Sequence, residues 1–448
     1  MRPNSNRSPR FAFGALAMLW LTWLPGMAVA QSLQELYDAA RVFDATFLSA
    51  KANAQSAEFR AAQSEALARP SLAATAGAST SQTDTPTTSG IKATNSVSGA
   101  LNGRYPLFNR ANAATIEQAR KSLITAQADL DTAEQDLIVR LTQAYFDVLA
   151  AQDTLATTQA SKAAITEQLA SAKRNFEVGT ATITDTREAQ ARFDLATAQE
   201  IQADNDLRTK RVNLDTLVGR ANVAPKPLLV PVVLPAPMPA NAEAWVTVAD
   251  QQHPTVRRAR VGLEVATLEI NKARAAGLPT VDAVASLSGS DSRGSLPQLS
   301  RSAGTSTVGS VGVQMNWPLY TGGATQNRIK ETLVLEEKAR NDLEAARRGV
   351  AQGSRVAFFG VQSGLAQVRA LEAAESSSKL ALEATQLGYK VGVRVNLDVL
   401  NAQTQLFGTQ RDLAKARYDV LVNGLKLRQA SGQLLPTDVD SVNRLLAK

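Results

Sequence analysis

The chain has 448 residues, no cysteine, one histidine and a formal net charge of +7. Without cysteine it can form neither a disulfide nor a thiolate metal site, and it cannot carry a lipid on a terminal cysteine. The single imidazole, His253 beside Pro254, and the lack of a Gly-rich phosphate loop leave no constellation for catalysis, a metal or a cofactor. The basic balance is mild and no Lys/Arg run is interleaved with aromatics, which argues against a nucleic-acid partner.

The chain starts with Arg2, Arg7 and Arg10 and no acid, then runs largely apolar from Phe11 to Met27, and reaches Ala28-Val29-Ala30 before Gln31. A charged start, an apolar core and a small-x-small site read as a secretory signal over 1–30; Pro25 and the small residues after it disfavour a membrane anchor. Beyond it no apolar run is long enough for a membrane-spanning helix. Any membrane insertion of the mature chain therefore has to be as a closed barrel.

From Ser32 to Ala68 the spacing of Leu33, Leu36, Ala39, Ala40, Phe43, Phe47 and Leu48 predicts a helix that Pro70 ends. Period two then takes over. Leu72, Ala74, Ala76 and Ala78 form one row, and Val97, Gly99, Leu101, Gly103 and Tyr105 another, with a loop over Asp84–Lys92. The same texture returns as Val281, Ala283, Ala285 and Leu287, and as Val311, Val313, Met315 and Trp317, around a Ser/Gly-rich loop over Gly289–Thr307. Strands are thus expected over about 71–105 and 280–317, long enough when tilted for an outer-membrane span. Tyr105 and Trp317 sit at matching ends and read as membrane-interface aromatics. A soluble sandwich is the alternative, but rows this weakly apolar make a poor core. Four strands cannot close a barrel alone; several chains sharing one barrel would resolve both difficulties.

Pro106 and Pro318 each open a proline-free tract, 107–224 and 319–435, dominated by good helix formers. The first reads as a long helix pair over about 108–218 broken at Gly179, the second as a pair over about 320–431. A helix from 108 to 177 would rise roughly 100 Å. Its stripe of Leu137, Ile138, Leu141, Tyr145, Val148, Leu149 and Leu155 is narrow, and many facing positions are alanine, which suits coiled-coil contacts. Between the tracts, Pro225, Pro227, Pro231, Pro235, Pro237 and Pro239 force an extended linker over 225–240. A short helix is expected over Asn241–Ala249, another from His253-Pro254 to about Ala276, and a last one near 437–446 in the tail 436–448.

The two halves are related. Arg174-Asn175-Phe176-Glu177-Val178-Gly179-Thr180-Ala181-Thr182-Ile183-Thr184-Asp185 returns 213 residues later as Leu387-Gly388-Tyr389-Lys390-Val391-Gly392-Val393-Arg394-Val395-Asn396-Leu397-Asp398. This divides the chain into repeats 31–224 and 241–435. Gly179 and Gly392 suit left-handed helix ends. Asp185 and Asp398 then fall in the first turn of the next helix, where exposed amides favour an acid.

This order of elements, with Tyr105-Pro106-Leu107-Phe108, Trp317-Pro318-Leu319-Tyr320-Thr321-Gly322-Gly323, Ala144-Tyr145-Phe146-Asp147-Val148-Leu149 and Ala416-Arg417-Tyr418-Asp419-Val420-Leu421, resembles the TolC family of outer-membrane channels. The resemblance covers essentially the whole mature chain. It implies a mainly α protein with a transmembrane β-barrel part: a homotrimer with one shared twelve-stranded barrel in outer-membrane lipid and an α-helical coiled-coil tunnel in the periplasm of a Gram-negative bacterium. It further implies a periplasmic adaptor, an inner-membrane pump of ABC, RND or MFS type, no cofactor, no enzymatic activity, and drugs or unfolded protein as cargo.

By the same resemblance, Tyr389, Arg394, Asp398 and Asn401, with Asp185 and Arg174 on the first turn, match the family's polar periplasmic gate. Asn401 stands where the family prototype has a second aspartate, and Arg174 where it has glutamine, so the entrance is expected to select cations less strongly. Asp398 reads equally as a helix cap. Val178-Gly179-Thr180 and Val391-Gly392-Val393 are the expected adaptor contacts. The competing reading is a structural coiled-coil protein of the envelope, which would have no use for paired amphipathic hairpins.

Overall fold

The computed structural model describes residues 31–84, 91–229, 231–294 and 304–447; the expected signal over 1–30 lies outside them. The elements are α1 (Leu33–Phe43), α2 (Ala45–Glu65), β1 (Ser71–Thr83), β2 (Lys92–Phe108), α3 (Arg110–Glu177), α4 (Ile183–Val218), α5 (Ala242–Gln252), α6 (Pro254–Ala275), β3 (Thr280–Gly294), β4 (Gly304–Asn316), α7 (Ala324–Lys390), α8 (Asn396–Ala430) and α9 (Thr437–Asn443). α3 has 68 residues and α7 has 67, so each rises roughly 100 Å.

Two expectations need correction. The helix expected without interruption from Ser32 to Ala68 breaks at Asp44, whose backbone is extended. The Asp44 carboxylate accepts the Phe47 N–H at 2.8 Å and two Arg140 hydrogen bonds at 3.0 and 3.1 Å, so it ends α1, caps α2 and ties both to α3. A 3₁₀ turn over Ala66–Ala68 then finishes the segment. The loop expected over Gly289–Thr307 is shorter, because β3 runs to Gly294 and β4 starts at Gly304. Small polar residues can extend a ladder as well as apolar ones where neither face needs a core.

The four strands form one antiparallel sheet in the order β1-β2-β3-β4. The register puts the four apolar rows on one face: Leu72 opposes Gly103 and Ala74 opposes Leu101, Gly103 opposes Ala285 and Leu101 opposes Leu287, and Ala285 opposes Val311 and Ala283 opposes Val313. The other face carries Ser79 and Ser96, which share a 2.7 Å hydrogen bond, and Ser286 and Ser310, which share another. The apolar row is not buried: β1 and β4 are exposed on both faces almost throughout. On β3, Ser286, Ser288 and Ser290 are half-buried while Ala285 and Leu287 are exposed; on β4, Val311 is 90% exposed. The edge strands β1 and β4 each pair on one side only, leaving their outer edges without a partner among the described residues.

The main apolar core lies at mid-height of the long helices. Leu33, Leu36 and Tyr37 of α1, Leu137, Ile138, Leu141 and Phe146 of α3, Leu214 of α4, Leu425 of α8 and Val439 of α9 meet there. Tyr145 is fully buried; its hydroxyl lies 2.9 Å from the Lys226 carbonyl oxygen and 3.3 Å from that of Gln31, fastening the proline-rich segment and the start of the described chain to α3. Phe146 stacks on Tyr418, whose hydroxyl donates to Asp153 at 2.6 Å. His253 caps α6, its Nδ1 accepting the Thr255 N–H at 3.1 Å.

Burial works to raise the Asp44 carboxyl, but the hydrogen bonds from Arg140 and Phe47 outweigh it and hold it below the usual carboxylate range. A carboxyl depressed by folding stabilises fully above its unfolded value of about 3.9, and that stabilisation is lost as pH falls through the folded value. Asp44→Ala should therefore destabilise the junction by about 1–2 kcal/mol at neutral pH. Amide exchange in the first turn of α2 should show it, and the gap from wild type should close in strong acid.

Candidate functional site

The far ends of the helix hairpins hold the candidate residues. α3 ends at Glu177 and α4 begins at Ile183; α7 ends at Lys390 and α8 begins at Asn396. Gly179 and Gly392 take φ of 78° and 81°. Each turn closes by the same double bond pattern: Thr180 N–H to Asn175 O and Gly179 N–H to Phe176 O in one, Val393 N–H to Gly388 O and Gly392 N–H to Tyr389 O in the other. This Schellman arrangement needs a residue that tolerates left-handed backbone, which is the local reason for both glycines. Val178, Val391 and Val393 project from the turns and are 65–75% exposed.

The helix starts that follow differ. Thr182 and Asp185 make a capping box: Asp185 accepts from the Thr182 N–H at 3.0 Å and its hydroxyl at 2.8 Å, and Thr182 Oγ1 accepts the Asp185 N–H at 3.2 Å. At α8 the equivalent position is Val395, which has no oxygen. Asp398 still accepts the Val395 N–H, at 3.4 Å, but its own N–H is met by the Val395 carbonyl oxygen, at 3.1 Å, and not by a side chain. Arg394 instead folds back to pair with Asp398 at 3.6 Å, both side chains partly exposed. Gly388 makes room for it: a Cβ there would lie 2.8 Å from Arg394 Cγ.

Toward the tips, three polar contacts join the first hairpin to the second. Asn175 Nδ2 donates to the Tyr389 hydroxyl oxygen at 3.1 Å, Arg192 Nη2 donates to Asn401 Oδ1 at 2.9 Å, and Gln168 Nε2 donates to Asn396 Oδ1. Asn396 and Gln403 are buried on α8, and among the described residues Asn396 Nδ2 and Gln403 Oε1 have no partner. The apolar part of this seam is small, comprising Ile165, Leu169, Ala172, Ala189, Ala196 and Leu400. A cavity of about 190 Å³ opens beside it, lined by Thr157, Ser161, Arg192, Thr404 and Arg411 among others.

The structure thus brings Tyr389 and Asn401 to the seam between hairpins and places Arg394 and Asp398 on the second turn. Asp185 acts within the first turn as a cap. Arg174 is exposed, and its side chain makes no hydrogen bond or ion pair among the described residues. Tyr105 and Trp317 lie where the sheet meets the helices, 45% and 53% exposed. Sequence reasoning missed Asn175, Arg192, Gln168 and Asn396. The usable signal was divergence between the halves, since Asn175 answers to Gly388 and Arg192 to Gln405.

An amphipathic four-stranded sheet joined to two hairpins of such length is the architecture of an outer-membrane channel subunit. The outer membrane channel CmeC of Campylobacter jejuni has the same fold, with a TM-score of 0.76 and 16% identity over 99% of this chain and 98% of that one. The model of the outer membrane efflux protein family matches residues 36–220 and 245–433, and the chain belongs to that family. It is similar to outer membrane protein TolC of Vibrio cholerae, with 33% identity over 92% of this chain and 93% of that protein. It is also similar to the alkaline protease secretion protein AprF of Pseudomonas aeruginosa, with 32% identity over 76% of this chain and 71% of that protein.

The asymmetry of the helix starts yields a direct test. Val395→Thr should complete the α8 box and slow amide exchange in its first turn by about fivefold, whereas Thr182→Ala should speed exchange at α4 by a similar factor. Unchanged exchange in both would contradict the capping assignment.

Proposed function

We propose that three copies of this chain close their sheets edge to edge into one twelve-stranded barrel in the outer membrane of a Gram-negative bacterium. The helices continue it as a periplasmic tunnel. The assembly is the exit duct of a tripartite efflux or type I secretion system. An inner-membrane pump and a periplasmic adaptor deliver drugs or unfolded protein to it.

One observation carries the reading: the sheet is apolar on one face and polar on the other, its apolar row is left exposed, and each edge strand has one open edge among the described residues. A lipid-facing barrel with a wet interior has that distribution, and closure removes the edges. A structural rod has no use for it. The relatives named for efflux and for protease secretion support both branches of cargo, and the exposed valines of the two turns suit adaptor contact.

The tips act as the gate. Hydrogen bonds, an exposed ion pair and a small apolar cluster hold them, and the buried Asn396 Nδ2 and Gln403 Oε1 have no partner among the described residues, each costing about 1–3 kcal/mol. Such a seam parts more readily than an apolar one. Asp398 serves as partial cap and as anionic residue of the entrance. Asn401 is uncharged and already engaged by Arg192, so one acidic ring remains rather than two.

Wild-type protein should run as a heat-modifiable trimer and form conducting pores in planar bilayers; a soluble monomer without conductance would overturn the reading. Removing the seam contacts with Tyr389→Phe and Arg192→Ala together should raise single-channel conductance. Asn401→Asp should increase cation preference and block by multivalent cations, more so when Arg192→Gln frees the new carboxylate. Indistinguishable selectivity and block would remove Asn401 from the entrance.

A further inference from the structure

The polar face of the sheet is almost uncharged. Over residues 71–83, 94–106, 282–292 and 304–316 its row consists of Ser, Thr, Ala, Gly, Asn, Val, Gln and Pro, with two exceptions, Arg104 and Asp282. Lys92 lies in the same row at the opposite, loop end of β2. The two exceptions find each other. Arg104 Nη2 pairs with Asp282 Oδ2 at 2.7 Å, diagonally across the β2–β3 ladder. The carboxylate is tucked in and the guanidinium covers it, with side-chain exposures of 12% and 59%. Asp282 Oδ1 is buried and has no partner among the described residues.

The place is distinctive as well. Arg104 opposes Val284 and Pro106 opposes Asp282, and the register slips between Pro106 and Phe108. Pro106 brings no N–H, so the ladder loosens where the pair sits. Tyr105, one residue on and facing the other way, marks the end of the sheet nearest the helices. The pair therefore lies at the foot of the sheet, where it joins the helices.

Fixed rings of one charge sign on a pore wall set which ions pass, and narrow walls focus the field. A purely structural pair in this row gains little, since its neighbours are small polar residues. A pair whose buried acid is screened by its own cation does something else: it adds no net field to the lumen. We infer that Arg104 and Asp282 form a charge-cancelling collar at the foot of the barrel, keeping that section indifferent to the sign of small ions and cargo. Charge discrimination then falls to other sections of the duct, the hairpin tips among them. The inference rests on the three-chain duct proposed above, in which each pair occurs three times around one lumen.

The chain has no cysteine, so the collar can be charged at will. Arg104→Gln leaves three unscreened carboxylates and should raise cation-over-anion permeability severalfold at low salt; Asp282→Asn leaves three guanidinium groups and should shift it the other way. The double variant should return to wild type. Both shifts should shrink at high salt, since the screening length falls from about 30 Å at 0.01 M to about 3 Å at 1 M. As a second arm, Arg104→Cys combined with Asp282→Asn gives a neutral collar that is modified after insertion. A sulfonate-bearing and a trimethylammonium-bearing methanethiosulfonate should then move selectivity in opposite directions. Conducting trimers whose selectivity ignores the sign at this position overturn the collar and leave the duct intact. Wild-type protein that forms no pore overturns the duct, and the collar with it.

Discussion

A strand at the edge of a sheet carries a row of N–H and C=O groups with nothing to bond, and β1 and β4 each leave one such row open. In water this invites aggregation; in lipid each unsatisfied group costs several kcal/mol. The proposed assembly answers that constraint by pairing β4 of one copy with β1 of the next. Everything attached to the sheet inherits the consequence. β2 enters α3 through Asn109, and β4 enters α7 through seven residues that include Gly322 and Gly323 in left-handed conformation. The helices then continue the wall that the strands begin. Closely approaching helices need small side chains, and the seam far from the core sets Ala172, Ala189 and Ala196 among Ile165, Leu169 and Leu400.

The same constraint explains what the two halves share and where they part. α3 and α7 end 213 residues apart, as do the starts of α4 and α8, and the two glycine φ values differ by only a few degrees. A wall made of alternating halves tolerates no difference in height, so length and turn geometry are held while side chains drift. The drift concentrates at the tips. Thr182 completes a cap where Val395 cannot, Asn175 fills a position that Gly388 must vacate for Arg394, and Ala181 stands where Arg394 reaches Asp398. The first hairpin is thereby tied to itself. The second is held by neighbours and by an exposed ion pair, which solvent and salt weaken.

Much of this was legible in the chain before folding. Helix lengths followed from the proline-free tracts, turns from the valine-glycine pairs, and strand rows from period two, because each depends on residues close in sequence. What escaped was decided at a distance. The break at Asp44 follows from Arg140, 96 positions on, since the acid would otherwise be an unremarkable helix-surface residue. Arg192 and Asn401 are 209 positions apart, and nothing local marks either as a partner. The strands outlasted their apolar rows because serine and glycine pair through the backbone as well as valine does. Asp398 read as cap or gate, and its geometry makes it a partial cap while leaving it on the exposed turn.

Stability is unevenly spread along the helices, and the distribution is suited to a duct. At mid-height, Tyr145, Phe146 and Tyr418 lock α3 to α8, and the buried leucines around them bring in α1, α4 and α9. A fully buried leucine contributes roughly 1.5–3 kcal/mol relative to an exposed one, so this girdle is the part that does not yield. Toward the tips the apolar contribution thins to Ile165, Leu169, Leu400 and three alanines, and hydrogen bonds with modest net worth, about 1 kcal/mol each, take a larger share. Motions of low free energy therefore belong to the last turns of the hairpins. An entrance can part there while the girdle keeps the wall in register, so opening need not be a step toward unfolding.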